Sequence, residues 1–137
     1  MPNLSKQFLF AVGTGTTTAT SVSITGMDVS PVGSNSFASA KEKADGYYNL
    51  GDGNHTVTYT VAPGFDGSIT MQGTLALEPV LADWFNITGS TISYTASLGT
   101  TTTNYVNFTG NFVWVRALVI RNTPAYGNTV LAINYNH

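Results

Sequence analysis

A period of two runs through the middle of this chain. In His55-Thr56-Val57-Thr58-Tyr59-Thr60-Val61 the odd positions after His55 are apolar or aromatic, and the even positions are all Thr. Successive side chains of an extended chain point to opposite faces, so this alternation predicts a half-buried antiparallel strand. Residues Ser68–Leu77 repeat the pattern, with Ile69, Met71, Leu75 and Leu77 on one face and Ser68, Thr70, Gln72 and Thr74 on the other. Between the two runs lie Ala62-Pro63-Gly64 and Asp66-Gly67, which are turn residues and predict a hairpin.

The same reading extends outward. Lys6–Val12 offers Phe8, Phe10 and Val12, Thr20–Thr25 offers Val22 and Ile24, and Thr91–Thr95 offers Ile92 and Tyr94. Asn104–Phe108 offers Val106 and Phe108, and Asn128–Tyr135 closes the chain. Asn111–Arg121 is apolar on both sides, as expected of a central strand covered twice: Val113, Val115, Ala117 and Val119 alternate with Phe112, Trp114, Leu118 and Ile120. The segment Ser36–Ala44 reads either as about two turns of helix with Ser36 as N-cap, closed by Asp45-Gly46, or as an extended loop. The tracts Thr14–Thr20 and Leu98–Thr103 read as loop tips or, since Thr favours strands, as extensions of a hairpin. The expectation is an all-β fold, a single antiparallel β-sandwich or jelly-roll-like domain over residues 1–137, with roughly eight strands.

Charge narrows the function. Lys, Arg, Asp and Glu make up only 9% of the 137 residues, against roughly 25% in an ordinary soluble domain. With 42% hydrophobic residues, charge-driven disorder is excluded. Five cations and a net charge of -2 give no electrostatic footprint for nucleic acid. No apolar run approaches the length that spans a bilayer, and Met1–Lys6 carries no basic region leading into an apolar core, so synthesis in a cytoplasm without export is expected. With no Cys there is no disulfide, thiol nucleophile or Cys-based zinc site. Asn3-Leu4-Ser5, Asn54-His55-Thr56, Asn86-Ile87-Thr88 and Asn107-Phe108-Thr109 match the glycosylation pattern, which an Asn/Thr-rich chain meets by chance.

Few groups here can work in concert as catalysts, and no enzyme is expected. His55 reads as a surface or sheet-edge residue, and His137 is terminal. Asp45-Gly46, Asp52-Gly53 and Asp66-Gly67 are turn dipeptides. Asp45, Asp52 and Asn54 would make a Ca²⁺ site only by converging from neighbouring loops, and neither metal nor cofactor is expected. Arg116 sits on the Phe112/Trp114 side of an apolar strand, where a covered guanidinium needs a partner. Asp83 or Glu78 is the natural choice, with a subunit interface or a ligand as alternatives. Tyr47, Tyr48 and Tyr126 are the rings available for lectin-like sugar contacts, although loop tyrosines also pack over a sandwich rim.

The runs Gly67–Leu75, Asp83-Trp84-Phe85 and Phe108–Ala117 resemble small virion structural proteins of tailed bacteriophages, of the T4-like cyanophage type. The likeness covers about residues 67–135. It implies a non-enzymatic, multi-copy virion component that decorates the capsid or forms part of the tail, neck or baseplate. Its implied partners are copies of itself, for example in a trimer, and the major capsid or tail proteins, with no nucleic acid or membrane. The implied location is the virion, after synthesis in the host cytoplasm. Residues 1–12, with Phe8, Leu9 and Phe10, are the expected assembly arm. A Thr-rich, weakly charged surface agrees, because it repels neighbouring copies little. The alternative is a carbohydrate-binding, lectin-like host-recognition module.

Overall fold

The computed structural model describes residues 6–7, 23–24, 27–28, 36–48, 52–95, 97, 99–121 and 129–136. Five strands of eight residues carry the fold, and seven shorter ones flank them. In chain order these are β1 (Lys6–Gln7), β2 (Ser23–Ile24), β3 (Met27–Asp28), β4 (Ser36–Ala38), β5 (Glu42–Lys43), β6 (Asn54–Val61) and β7 (Gly67–Thr74). Then follow β8 (Phe85–Asn86), β9 (Ile92–Tyr94), β10 (Thr102–Thr109), β11 (Trp114–Arg121) and β12 (Thr129–Asn136). One helical turn, α1 (Asp45–Tyr48), and one 3-10 turn, Leu81–Asp83, complete the described elements.

The strands form two sheets. One runs β10-β6-β12-β2-β3, with β1 also pairing β12; the other runs β4-β11-β7-β8, with β5 on β11 and β9 on β7. Pairing is antiparallel except where β2 lies parallel to β12. The inward residues of both sheets meet in one core. Val57, Tyr59 and Val61 of β6 and Ile133 and Tyr135 of β12 pack with Ile69 and Met71 of β7 and Val115, Ala117 and Val119 of β11. Each is fully buried, and burying a side chain of this size contributes about 1.5–3 kcal/mol. The fold is an all-β sandwich.

The alternation in β6 and β7 is therefore real, but the two do not form a hairpin. They lie in different sheets, and residues 62–66 arch between them. Phe65, wholly buried within the arch, accounts for this: its ring enters the inter-sheet core, while the Phe65 N–H closes a turn onto Ala62 O at 3.3 Å. Strand β7 also stops at Thr74, which leaves Leu75 and Leu77 exposed instead of on the core face.

Ser36–Ala44 is not a helix. It supplies β4 and β5, both docked on the edge of β11. Ser39 N–H donates to Ala117 O at 2.9 Å, Ala117 N–H donates to Ser39 Oγ at 2.8 Å, and Ala44 N–H donates to Val113 O at 3.0 Å. A two-turn helix is marginal by itself, and the open ladder of a central strand outweighs the Ala, Lys and Glu propensities. The helical turn forms one step later, from Asp45.

Candidate functional site

The three Asn-x-Thr tripeptides of the chain meet in space. Asn54-His55-Thr56 opens β6, Asn107-Phe108-Thr109 ends β10, and Asn86-Ile87-Thr88 leaves β8. The β6–β10 register sets Asn107 opposite Thr56, Phe108 opposite His55 and Thr109 opposite Asn54. The central residues are buried, and all six flanking Asn and Thr residues are exposed. The tripeptides line a cleft of about 770 Å³ where β8 and β10, from different sheets, face each other. That volume lies in the usual range for small-ligand sites.

The floor is aromatic. His55 stacks on Phe108 with centroids 4.8 Å apart and planes 12° from parallel, and Phe112 leans over both. Phe112 reaches this position because Gly73 and Gly110 have no side chains. A Cβ would lie 2.7 Å from Phe112 Cδ1 at Gly73 and 2.5 Å from Cζ at Gly110, where φ is also +146°. Phe85, 43% exposed, stands at the mouth with its ring 5.8 Å from Phe112.

Above the floor the rim presents amides and hydroxyls. Thr56 Oγ1 donates to Asn107 Oδ1 at 2.7 Å, and Gln72 Nε2 donates to Asn86 Oδ1 at 3.0 Å. Both contacts fix a carboxamide through its oxygen and leave its N–H₂ donors for a ligand. Asp52 holds the start of β6 by accepting the Asn54 N–H at 2.9 Å, a bond that lowers the Asp52 pKa. No carboxylate or amine is among the lining residues.

His55 is the one titratable group in the lining, and it is 2% exposed. The sequence expectation of a surface residue is corrected: His55 shares the inward phase of Val57 and Tyr59. Its Nε2 lies 2.6 Å from the Gly110 carbonyl, which can only accept, so Nε2 carries the proton. Its Nδ1 lies 2.7 Å from the Tyr135 hydroxyl. Burial first, then Asp45 and Glu42, push the Tyr135 phenol well above its usual range. Both ring nitrogens are thus engaged in holding the cleft floor.

The residues singled out from the sequence lie elsewhere. Tyr47 and Tyr48 are exposed on α1, with Tyr47 packed 4.9 Å from Trp114. Tyr126 and the Phe8-Leu9-Phe10 arm fall outside the described residues. Arg116 Nε donates to Gln72 Oε1 at 2.8 Å, and the guanidinium lies 4.4 Å from the centre of the Trp84 ring. Asp83 instead accepts the Val80 N–H at 2.8 Å. Neither Asp83 nor the exposed Glu78 pairs with Arg116 among the described residues. Asp45, 3% exposed, accepts the Gly53 N–H at 2.7 Å. No group of three or more His, Cys, Asp or Glu able to hold a metal occurs among the described residues.

No family model and no curated protein matches this chain. Among solved structures, a carbohydrate-binding module of Cellvibrio mixtus lichenase 5A in complex with cellotriose aligns at 17% identity and a TM-score of 0.44, covering 100% of this chain and 98% of that one. The K1 cleaved adhesin domain of Lys-gingipain from Porphyromonas gingivalis aligns at 8% identity and a TM-score of 0.40, covering 98% and 69%. The C-terminal domain of EclA, a sugar-binding protein, aligns at 12% identity and a TM-score of 0.37, covering 100% and 76%.

Proposed function

We propose that this protein is a non-catalytic carbohydrate-binding module that holds a neutral sugar in the cleft between β8 and β10. The observation that carries the reading is the cleft's chemistry. Six exposed Asn and Thr residues surround an aromatic floor, with no carboxylate or amine in the lining. Amides and hydroxyls both donate and accept, which suits the many hydroxyls of a sugar. An exposed ring such as Phe85 offers an apolar surface to the ring face of a sugar. Titration calorimetry with a panel of neutral oligosaccharides tests this. The expected result is that Asn107→Ala and Phe85→Ala each weaken binding about 3–10-fold, the worth of one hydrogen bond or one aromatic contact. Unchanged affinity in both variants contradicts the assignment to this cleft.

A second reading, a multi-copy structural subunit such as a virion protein, is favoured by a different observation. Leu75, Leu77, Val80 and Leu81 are 64–68% exposed within one short stretch, and apolar patches of this kind mark contact surfaces. On that reading the protein self-associates in solution, and Leu77→Asp returns it to monomer in light scattering. A monomer at all concentrations excludes assembly through this patch.

A further inference from the structure

Three of the five cations in the chain lie on the outer face of the β4-β11-β7-β8 sheet, each over an aromatic ring. Lys41 Nζ is 4.5 Å from the centre of the Trp114 ring, Lys43 Nζ is 4.6 Å from Tyr47, and the Arg116 guanidinium is 4.4 Å from Trp84. The placement follows from strand phase. Val115 and Ala117 of β11 point into the core, so Trp114 and Arg116 point out. Lys43 is the register partner of Trp114. Arg116, Gln72 and Asn86 form a row across β11, β7 and β8, linked by the two Gln72 hydrogen bonds.

Arg116 is the centre of this array. Its Nε is bound to Gln72, and the remaining guanidinium donors take no protein partner among the described residues. The group is partly buried, and desolvation lowers its pKa. A partly desolvated guanidinium without a counter-anion is unfavourable, and its planar fork matches a carboxylate in two parallel hydrogen bonds. The acids nearest in sequence do not fill this role. Asp83 is turned onto Val80 N–H, Glu78 is exposed and unpaired to Arg116, and Glu42 alternates away from Lys41 and Lys43 along β5.

We propose that this outer face, which meets the cleft rim at Asn86, is a second binding surface for an acidic polysaccharide bearing uronate carboxylates, with Arg116 as its main contact and Lys41 and Lys43 beside it. Single-stranded nucleic acid uses free aromatic faces on which bases stack. Here a cation lies over each ring, 4.4–4.6 Å from its centre, so the rings hold donors in place. A chain of net charge -2 also suits a sparsely charged polymer better than one with a phosphate at every step.

The test is binding of the full chain to a uronic-acid oligosaccharide, a neutral oligosaccharide of equal length and an oligothymidylate, at low and high salt. The expected result is preferential, salt-sensitive binding of the uronic-acid oligomer. Arg116→Gln weakens it about tenfold or more, the Lys41→Gln/Lys43→Gln double variant about threefold or more, and Asn107→Ala in the cleft leaves it unchanged. The lysine variant alters only side chains at the surface, so it remains informative if Arg116→Gln unfolds. Equal binding of neutral and acidic oligomers, stronger binding of oligothymidylate, or full affinity in the lysine variant overturns the proposal. Loss of acidic binding in Asn107→Ala places it in the cleft instead and likewise overturns it.

Discussion

Replacing His55 with phenylalanine is expected to destabilise the protein by about 2–5 kcal/mol, while the cleft floor keeps its ring stack. Phenylalanine can still lie against Phe108, so the packing contribution largely survives. Two hydrogen bonds do not, one of them buried and the other half-buried. The Gly110 carbonyl loses the Nε2–H donor at 2.6 Å, and the Tyr135 hydroxyl loses its Nδ1 partner at 2.7 Å. Breaking a buried polar pair by removing one partner costs about 1–3 kcal/mol, far more than the mean worth of a hydrogen bond. For a chain of this length the loss corresponds to a fall in Tm on the order of 10 °C. Calorimetry of the variant beside the wild type checks it. A change below about 1 kcal/mol would mean that the imidazole bridge is dispensable, since that is the range of ordinary surface substitutions.

Alkaline pH should unfold the protein steeply. Tyr59, Tyr94 and Tyr135 are buried phenols. Burial pushes Tyr94 up to about 12 and drives Tyr59 and Tyr135 further above their usual range, Tyr59 with a contribution from Tyr94 and Tyr135 with contributions from Asp45 and Glu42. Tyr59 donates to Ser90 O at 2.8 Å and Tyr94 to Asn104 Oδ1 at 3.0 Å, bonds that need the protonated phenol. Below about pH 10 these groups are protonated folded or unfolded, and their contribution is fully present. Above it the unfolded chain releases protons that the folded chain retains, so stability falls as pH rises. Each group contributes a slope of about 1.4 kcal/mol per pH unit until its folded pKa is reached. Three together remove about 4 kcal/mol per unit between about pH 10 and 12, enough to exhaust a typical domain's stability. Urea midpoints across this range, with phenolate absorbance as a second probe, give the slope, and Tyr59→Phe should reduce it by about a third. A midpoint that stays flat through about pH 11 contradicts the burial of these hydroxyls.

The strands were legible because their cause is local. Thr at every second position of β6 is one face of a pleat, and no tertiary information is needed to see it. Pairing was less legible. The turn between β6 and β7 reads the same whether the chain doubles back or crosses to the other sheet, and only the burial of Phe65 separates the two. Ser36–Ala44 is ambiguous in the sequence because its propensities favour a helix that is too short to stand alone, whereas the edge of β11 is a long-range partner that the segment does not encode.

The cleft was present in the sequence but in an unexpected form. Period two implies that Asn and Thr flanking a buried residue share an outward face, which the tripeptides at 54–56, 86–88 and 107–109 satisfy. Read as glycosylation patterns they carry no spatial meaning. Their convergence depends on the β6–β10 register and on β8 closing from the other sheet, both non-local. His55 was set outside because of its residue type, although its phase placed it with Val57 and Tyr59. Arg116 takes Gln72 and the Trp84 ring instead of Asp83 or Glu78, because those acids are committed to a backbone group or to solvent.

The central claim is that the neutral cleft between β8 and β10 takes a sugar. Nuclear magnetic resonance titration of the labelled protein with the neutral oligosaccharide that binds tightest in the panel tests it at the residues themselves. The account predicts saturable shifts in the side-chain amides of Asn54, Asn86 and Asn107, with the backbone of β8 and the end of β10 moving alongside. Saturable shifts confined to other surfaces, or none at any of the three amides, would contradict it.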